Sequence, residues 1–406
     1  MELEEKKNEL LNEDLCDRCL GRQFGELGHG LENYERGMIV RELDNPTEDS
    51  FTKDNIPEST PAQGDCALCG GLFGNLGEYV DMVESKLTSY EIDTLLVGSR
   101  IPRDVERREK ELWEDYGDRY ARPIKSELNR TIGRRVQEDL GVEADFERPD
   151  VNPILDLRND RVELQVNSLL VYGRYNKYVR GIPQTVWHCS ECGGRGCEKC
   201  NYTGKKYEES VQELIQEPFL KAADSKEAKF HGAGREDIDA RCFGRREFVL
   251  ELKEPRKRNL VPSRIQTELN RSQAKVEVFG VEEAEKSRVE VVKTEDSDKT
   301  YRAVVELSRK TEELPLEKLA VIPGTIEQRT PKRVAHRRAD KVRRREVYWL
   351  RWEELGVNKL ELTTKTETGT YVKELISGDR GRTTPNVAEV LDCEASCQRL
   401  DVLDIS

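Results

Sequence analysis

Five short runs in the later part of the chain alternate apolar and polar residues, the pattern typical of strands with one buried face. Polar turns separate most of them. Strands joined by short turns pair antiparallel, so the runs predict a central antiparallel sheet. They are FVLELKEP (248–255), AKVEVFG (274–280), RVEVVK (288–293), TYRAVVELS (300–308) and KLELTTKTE (359–367).

The earlier part of the chain predicts a helix followed by strands. Residues 124–140 place apolar side chains at helical spacing, and Gly141 is a stop signal. Alternating runs follow at 154–157 and 162–166, and then SLLVYGRYNKYVRGIPQT at 168–185. This helix-then-strands segment is similar to the THUMP-type RNA-binding domains of tRNA-modifying enzymes.

The last of these runs interleaves aromatic and basic side chains. Such side chains contact RNA bases and RNA backbone in many modules. An exposed strand edge with ordinary basic residues explains the pattern equally well, and both interpretations stay open. The residues concerned are Tyr172, Tyr175 and Tyr178 with Arg174, Lys177 and Arg180.

The chain is acidic overall, with a net charge of −13, but it contains one strongly basic segment. Residues 328–346, QRTPKRVAHRRADKVRRRE, carry nine Lys or Arg against two acids. This imbalance favours binding to the phosphate backbone of a nucleic acid over a solvated helix face. The candidate backbone contacts are Lys332, Arg333, Arg337, Arg338, Arg343 and Arg344.

The apolar runs are too short to span a bilayer, and the N-terminal sequence MELEEKKNELL is acidic, unlike a secretion signal. We therefore expect a cytoplasmic, monomeric protein with no membrane partner.

Eight of the eleven cysteines form four Cys-x-x-Cys pairs, a usage that favours metal binding over disulfides in a cytoplasmic chain. Two pairs near the N-terminus form one predicted site, and a C-x2-C-x4-C-x2-C run forms a second. Sites made of four cysteines leave no position for a catalytic water, so we predict structural zinc. Reduced buried cysteines are the alternative, and spacing alone leaves an iron–sulfur cluster open. The predicted ligands are Cys16, Cys19, Cys66 and Cys69, and Cys189, Cys192, Cys197 and Cys200.

The glycine-bearing stretch KFHGAGREDIDARCFG (229–244) is the candidate for chemistry. Asp237 lies in its turn, two residues after Arg235 and just before a predicted strand. A carboxylate on a tight loop beside a strand can project into a cleft, and a neighbouring arginine can keep it ionised or bind phosphate. A solvated surface turn is the alternative interpretation of these residues taken alone.

Long motifs across nearly the whole chain resemble the archaeal and eukaryotic family of tRNA pseudouridine synthases that act on the T-arm, at positions 54 and 55. The resemblance implies an α+β fold: a pseudouridine synthase catalytic domain with a central antiparallel sheet, and an N-terminal zinc-bearing THUMP-like domain that binds RNA. The motifs are LCDRCLG, CALCGG, YGRY with YVRGIPQT, KFHGAGREDIDAR, QRTPKRVAHRRAD and GTYVKELISGDRGRTTPN.

The resemblance also implies site residues. Asp237, and neither Glu236 nor Asp239, keeps the Arg-x-Asp spacing of the essential aspartate. The active-site tyrosine corresponds to Tyr301 in SDKTYR, which is expected to stack on the base and to accept a proton in the final step. Lys373 in GTYVKEL replaces the arginine of relatives and is expected to pair with Asp237. Arg235 and Tyr371 complete the predicted substrate contacts.

The implied organisation has three parts: residues 1–80 as a zinc-binding segment, 81–185 as the THUMP-like domain, and 186–406 as the catalytic domain with a four-cysteine knuckle at 189–200. The implied reaction isomerises uridine 54, uridine 55 or both in tRNA, without an organic cofactor or small-molecule cosubstrate.

Two other classes compete with this interpretation. A non-catalytic, zinc-containing tRNA-binding adaptor fits the cysteines but gives the Asp237 stretch and the tyrosine segments no purpose. A THUMP-type methyltransferase or thiolation enzyme needs a glycine-rich nucleotide loop that opens a helix. The sequence GGRG at 193–196 lies inside the cysteine cluster and does not meet that need.

Replacing Arg337 and Arg338 with glutamine is expected to weaken tRNA binding and to flatten its salt dependence, because each lost phosphate contact lowers the slope of log K against log salt by about one. Filter binding at several salt concentrations measures the slope. A slope equal to that of the unchanged protein would contradict the assignment of this segment.

Overall fold

The computed structural model describes residues 2–61, 66–335 and 339–406. The chain divides into two compact units, Met1–Asn167 and Ser168–Ser406, called unit 1 and unit 2 here. In the described part of the chain, no helix combines the length and the apolar character needed to cross a membrane.

Unit 1 combines helices with a small mixed sheet of strand order β2-β4-β1-β3, in which β5 pairs with β4. Its helices are α1 (Leu3–Leu10), α2 (Asp17–Gly21), α3 (Asn33–Glu42), α4 (Leu76–Leu87), α5 (Arg103–Tyr116) and α6 (Ile124–Leu140). Its strands are β1 (Thr94–Leu95), β2 (Gly98–Arg100), β3 (Glu143–Ala144), β4 (Val151–Asp156) and β5 (Arg161–Val166).

Helix α6 confirms the helix predicted for residues 124–140. Leu128, Ile132 and Val136 follow one another at intervals of four residues and are fully buried, which aligns them on one face of the helix. Gly141 ends the helix in a left-handed conformation with φ of 69°. Periodicity and a glycine stop were therefore sufficient to place this element.

Unit 2 is built on a large sheet with helices packed against it. Its helices are α7 (Val211–Ala223), α8 (Pro262–Ser272), α9 (Ser287–Thr294), α10 (Val372–Ser377) and α11 (Val387–Val390). Its strands are β6 (Leu169–Lys177), β7 (Glu227–Gly232), β8 (Arg241–Lys253), β9 (Val276–Glu283), β10 (Lys299–Leu307), β11 (Gly324–Arg329), β12 (Val342–Gly356), β13 (Lys359–Thr366), β14 (Thr383–Thr384) and β15 (Ala395–Ile405).

The strand order in this sheet is β14-β11-β12-β13-β10-β15-β8-β6-β9, with β7 paired to β8. Neighbours pair antiparallel except β15 and β8, which run parallel through a short register of Asp401 with Arg241 and Val402 with Cys242. The predicted central antiparallel sheet, and with it the α+β fold class, is confirmed. The parallel pair was not foreseen.

Four of the five alternating runs lie in strands, but the prediction of a strand at 288–293 is wrong. That run lies in helix α9, where Val292 is fully buried and Val289 packs against the same core cluster. Val289 and Val291 have the spacing of a strand face, and Val289 and Val292 have the spacing of a helix face. The run therefore suits a strand or a helix.

Strand β6, which the sequence pattern assigned to the THUMP-like segment, lies inside the sheet of unit 2 between β8 and β9. Tyr175 and Lys177 are fully buried there. The strand is therefore not an exposed edge, and these two side chains do not face an RNA surface.

The parallel pair brings distant parts of unit 2 together. Tyr301 of β10 lies opposite Val402 of β15, which in turn lies opposite Cys242 at the start of β8. The turn that carries Asp237 comes just before β8. The sheet thus places Tyr301 two strands away from the start of β8.

Candidate active site

Asp237 lies in the turn formed by residues 233–240, called the Asp237 turn, which connects β7 to β8. Gly234 has φ of 66°, a conformation that favours glycine. The amide of Ala240 closes the turn by donating to the carbonyl oxygen of Asp237 at 3.0 Å. The turn borders a cavity of about 730 Å³, whose lining includes Trp187, Tyr301 and Lys373.

Two cations approach the Asp237 carboxylate. Lys373 Nζ lies 3.2 Å from Asp237 Oδ2, and Arg333 Nη1 lies 3.5 Å from Asp237 Oδ1. The side chain of Asp237 is 35% exposed and therefore accessible from the cavity. The pairing of Lys373 with Asp237, expected from the resemblance, is present in the structure.

Lys373 also contacts a second carboxylate. Its Nζ lies 2.9 and 3.0 Å from the two carboxylate oxygens of Asp239. Burial acts to lower the pKa of Lys373, but its hydrogen bond to Asp239 and the charges of Asp237 and Asp239 raise it above the usual value. Burial acts to raise the pKa of Asp239, but the hydrogen bond and the charge of Lys373 lower it below the usual value. Lys373 is therefore held firmly in its charged form.

Arg333, predicted as a backbone contact, lies in this cavity. It forms a two-pronged ion pair with the buried Glu374, with Nε–Oε1 of 2.7 Å and Nη2–Oε2 of 3.3 Å. Its guanidinium lies 6.0 Å from the ring centre of Tyr371. Although burial acts to lower the pKa of Arg333, the hydrogen bond and charge of Glu374 raise it. The sequence marked Arg333 only as one cation among many.

Tyr301 and Tyr371 both line the cavity. Burial raises the pKa of Tyr301 to about 12, and the nearby charge of Arg246 opposes this shift only in part. At neutral pH the Tyr301 hydroxyl keeps its proton. The backbone of Tyr371 is fixed by the buried side chain of Gln328, which accepts from its amide at 2.9 Å and donates to its carbonyl at 3.0 Å.

Two further cations, Lys299 and Arg235, border the cavity. Lys299 Nζ donates to Thr368 Oγ1 at 3.2 Å, and burial lowers the pKa of its ammonium group. Lys299 carries no sequence signal of a site, although it stands two residues before Tyr301. Arg235, a predicted substrate contact, is exposed and lies 5.7 Å from the ring centre of Trp187.

A cluster of buried polar side chains lies beneath the Asp237 turn. Glu236 Oε2 accepts from the Tyr175 hydroxyl at 2.9 Å and lies 3.0 Å from Arg246 Nε. Glu236 Oε1 lies 3.6 Å from Lys177 Nζ. We call this group the buried ion cluster; it consists of Tyr175, Lys177, Glu236 and Arg246. Burial lowers the pKa of Lys177, and the charge of Glu236 offsets part of that shift.

The buried ion cluster holds the backbone of the turn. Lys177 Nζ donates to the carbonyl oxygens of Asp237 and Ile238 at 3.2 and 3.4 Å. Arg246 Nη1 donates to the carbonyl of Ala233 at 2.6 Å. The first residue of the turn and its middle are therefore tied to cations that pair with Glu236. The acid beside the reacting candidate has a structural role that its sequence position did not reveal.

The other predicted backbone contacts that the structure describes lie on strand β12 and on a short helical turn before it. Arg344 is exposed and pairs with Glu327 at 3.0 Å, while Arg343 donates to Thr330 Oγ1 at 2.9 Å. The amide of Lys332 donates to Asp379 at 3.0 Å. Arg337 and Arg338 lie outside the described residues.

Both predicted cysteine sites are assembled. In each group of four, the sulfur atoms lie within 4.8 Å of one another: Cys16, Cys19, Cys66 and Cys69 in unit 1, and Cys189, Cys192, Cys197 and Cys200 in unit 2. All eight are free thiols.

The sulfur spacing of these groups fits a tetrahedral metal. Sulfur pairs lie 4.0 Å apart for Cys16 and Cys69, and 3.9 Å apart for Cys192 and Cys200. A tetrahedron with metal–sulfur bonds of about 2.3 Å has edges of about 3.8 Å. The amides of Gly196 and Gly204 donate to Cys192 Sγ and Cys200 Sγ at 3.2 Å, the contacts that orient thiolate ligands.

Two family models match the chain. The model described as "Pus10, C-terminal" matches residues 170–406, and the model described as "Pus10 THUMP domain, archaeal" matches residues 79–156. The THUMP domain expected from the sequence is thus confirmed in the N-terminal part of the chain.

Curated relatives match over nearly their whole length. The tRNA pseudouridine synthase Pus10 of Methanothrix thermoacetophila is 43% identical over 96% of this chain and 91% of its own length. Those of Methanopyrus kandleri and Methanothermobacter marburgensis are each 41% identical, over 96% and 100% of this chain and 95% and 99% of their own. Among solved structures, a Cbf5-Nop10-Gar1 complex aligns at 16% identity over 48% of this chain and 45% of that chain, with a TM-score of 0.30, too low for a structural argument.

Replacing Glu236 with glutamine is expected to destabilise the protein by about 3 to 5 kcal/mol, because Lys177 and Arg246 would remain buried without an opposing charge. The free energy of unfolding from urea titration measures the loss. Glu191→Gln is the matched control, since that glutamate pairs with Lys199 on the exposed surface and its replacement is expected to leave stability unchanged. Equal stability of the two variants would show that the buried ion cluster does not support the turn.

Proposed function

The chain belongs to the Pus10 family of tRNA pseudouridine synthases, and on that premise we propose that it isomerises uridine to pseudouridine in the T-arm of tRNA. The modified position is 54, 55 or both, and Asp237 is the reacting carboxylate. The observation that carries the proposal is the placement of Asp237. It is a half-buried carboxylate at the edge of a cavity of about 730 Å³, held by Lys373 and Arg333 and faced by Tyr301.

The reaction needs a base that is separated from its stack. In an RNA duplex the C1′–N1 bond of uridine is out of reach of a side chain, so the nucleotide must be extruded into a pocket. Asp237 then starts the cleavage of that bond as the nucleophile, the ring rotates, and C5 joins C1′. C5 loses a proton and N1 gains one, so substrate and product are isomers. The atom balance therefore needs no organic cofactor or small-molecule cosubstrate.

The neighbouring residues take distinct parts in this reaction. Tyr301 stacks on the base, and its part in the proton transfer of the final step is the role that the family resemblance implies. Lys373 and Arg333 orient the Asp237 carboxylate, and these fixed charges need little rearrangement as charge moves. Tyr371 and Arg235 border the space that the nucleotide occupies.

The basic segment supplies the electrostatic attraction to tRNA. Within this segment, Lys332 lies on a short helical turn and Arg343 and Arg344 lie at the start of β12. Arg333 connects the same segment to the cavity. Contacts of this kind position the RNA without reading its sequence. The proposal includes a monomeric enzyme that works in the cytoplasm, where its tRNA substrate is found.

The metal in each cysteine site is proposed to be zinc. A four-cysteine tetrahedron is the usual environment of structural Zn²⁺, which contributes directly to folding by cross-linking the segments that carry its ligands. In unit 1 this set joins the start of α2 to residues that precede α4. In unit 2 it closes the loop between residues 189 and 200.

Asp237→Asn is expected to lower pseudouridine formation by more than about a thousandfold and to leave tRNA binding nearly unchanged, because the amide cannot act as the nucleophile. Incubation with unmodified tRNA transcript, followed by carbodiimide primer extension, measures product and position. Asp239→Asn is the comparison: it removes the other carboxylate beside Lys373 and should slow the reaction without abolishing it. Full product formation by Asp237→Asn would refute the assignment.

Elemental analysis of the purified chain is expected to find two zinc ions per molecule. Cys19→Ser and Cys200→Ser should each lose one, since serine is a poor ligand for this ion. Cys393→Ser is the matched control, because this cysteine lies outside both groups of four. Iron with acid-labile sulfide in place of zinc would contradict the proposal.

A further inference from the structure

The cysteine site of unit 2 closes a small hairpin next to the cavity. The amide of Lys206 donates to the carbonyl of Trp187 at 2.8 Å, and the amide of Cys189 donates to the carbonyl of Gly204 at 2.8 Å. His188 and Lys205 form an antiparallel bridge between them. Cross-linking of the four cysteines therefore fixes the two strands of this hairpin at the positions of Trp187 and Lys206.

The hairpin presents two aromatic rings together with cations. The rings of Trp187 and Tyr207 lie 5.8 Å apart in an edge-to-face arrangement with an interplanar angle of 76°. Lys206 Nζ lies 5.4 Å from the centre of the Trp187 ring and 5.7 Å from that of Tyr207. Arg235 lies 5.7 Å from the Trp187 ring. We call Trp187, Lys206, Tyr207 and Arg235 the knuckle platform.

The knuckle platform adjoins the reacting carboxylate. Trp187 and Arg235 are both part of the cavity lining, and Arg235 stands two residues before Asp237. Lys206 is exposed, while Trp187 and Tyr207 are half-buried. The platform thus extends from the cavity edge to the surface of unit 2.

The two cations of the platform, Lys206 and Arg235, differ from nearby lysines that form ion pairs with glutamates. Lys199 pairs with Glu191 at 2.5 Å, and Lys205 pairs with Glu213 at 2.6 Å. Among the ion pairs found within residues 2–61, 66–335 and 339–406, none involves Lys206 or Arg235. Aromatic faces beside uncompensated cations favour a ligand that has both a flat ring and a negative charge.

A nucleotide has both features. We propose that the knuckle platform binds nucleotides adjacent to the reacting uridine, with a base stacked on Trp187 or Tyr207 and the connecting phosphates held by Lys206 and Arg235. The inference rests on the proposed function, because extrusion of one base exposes the faces of the bases beside it. Stacking on aromatic side chains replaces the contacts that those bases lose.

The assignment gives the second metal site a further consequence. A metal ion held by these four cysteines would cross-link residues 189–200, and the residues on either side of that loop, Trp187, Lys206 and Tyr207, belong to the platform. A base-stacking surface must be rigid to gain affinity, because every side chain that becomes ordered on binding costs conformational entropy. The cross-linked hairpin provides that rigidity before the RNA arrives.

Four variants test the proposal by their affinity for unmodified tRNA transcript, measured by filter binding. Trp187→Ala and Tyr207→Ala are each expected to weaken binding about fivefold or more, the effect of losing one base–aromatic stack. Trp187→Phe keeps a ring and is expected to restore most of the affinity. Lys206→Gln is expected to lower the slope of log K against log salt by about one.

The control is Lys199→Gln, which removes a cation from the same cysteine loop but one that is already paired with Glu191. It should change neither affinity nor salt slope. Zinc content and circular dichroism identify any variant that fails to fold, and Lys206→Gln alters only an exposed side chain. Affinities of Trp187→Ala and Tyr207→Ala within twofold of the unchanged protein, with an unaltered slope for Lys206→Gln, would overturn the platform.

Turnover at saturating tRNA separates this inference from the proposed function. The platform variants are expected to raise KM more than they lower kcat, because the residues bind and do not react. An unchanged protein that makes no pseudouridine would refute the function. If the platform variants of that protein still lost affinity, the RNA-binding assignment would stand. Pseudouridine formation with unchanged KM in every platform variant would refute the platform alone.

Discussion

The site depends on one buried carboxylate, Glu236. Two cations, Lys177 and Arg246, lie in the interior of unit 2, where an unpaired charge is costly, and Glu236 is the acid that balances them. The same two cations donate to the carbonyls of Asp237 and Ala233, in the middle and at the start of the Asp237 turn. The position of the Asp237 carboxylate is thus supported from below by these charge pairs. Rigid support of this kind is what an active site needs when small displacements reduce its rate.

The topology of the sheet explains why residues so distant in sequence meet at one point. Asp237 stands before β8, Tyr301 on β10, and Lys373 at the start of α10. Strand β15 joins these regions, because it pairs parallel with β8 and antiparallel with β10. Asp401 of β15 also forms ion pairs with the side chains of Arg180 at 2.5 Å and of Arg241, the first residue of β8, at 2.9 Å. The last strand of the chain therefore completes the site.

Local patterns predicted what depends on local physics. Period-two alternation found β8, β9, β10 and β13 of unit 2, and cysteine spacing found both groups of thiols. The choice of Asp237 came from the family resemblance and stays a prediction. Patterns failed where two structures share one pattern or where tertiary contacts decide. The valines at 289, 291 and 292 suit a strand or one face of a helix.

Arg333 is indistinguishable by sequence from its basic neighbours, and only the fold brings it to Glu374 and Asp237. The sequence pattern made Lys177 a candidate RNA contact, because a lysine is buried only with a partner. The fold, not the sequence, places that partner, Glu236, beside it.

Both cations beside Asp237 lie closer to another acid than to Asp237 itself. Lys373 is 2.9 Å from Asp239 but 3.2 Å from Asp237, and Arg333 is 2.7 Å from Glu374 but 3.5 Å from Asp237. In the proposed reaction Asp237 would lose its charge on bonding to the substrate, and neither cation would then be left without a counter-ion. On release of the carboxylate, both cations would already be in place to receive it. The two auxiliary acids would thus act as a charge buffer, which keeps the reorganisation energy of the proposed cycle low in both directions.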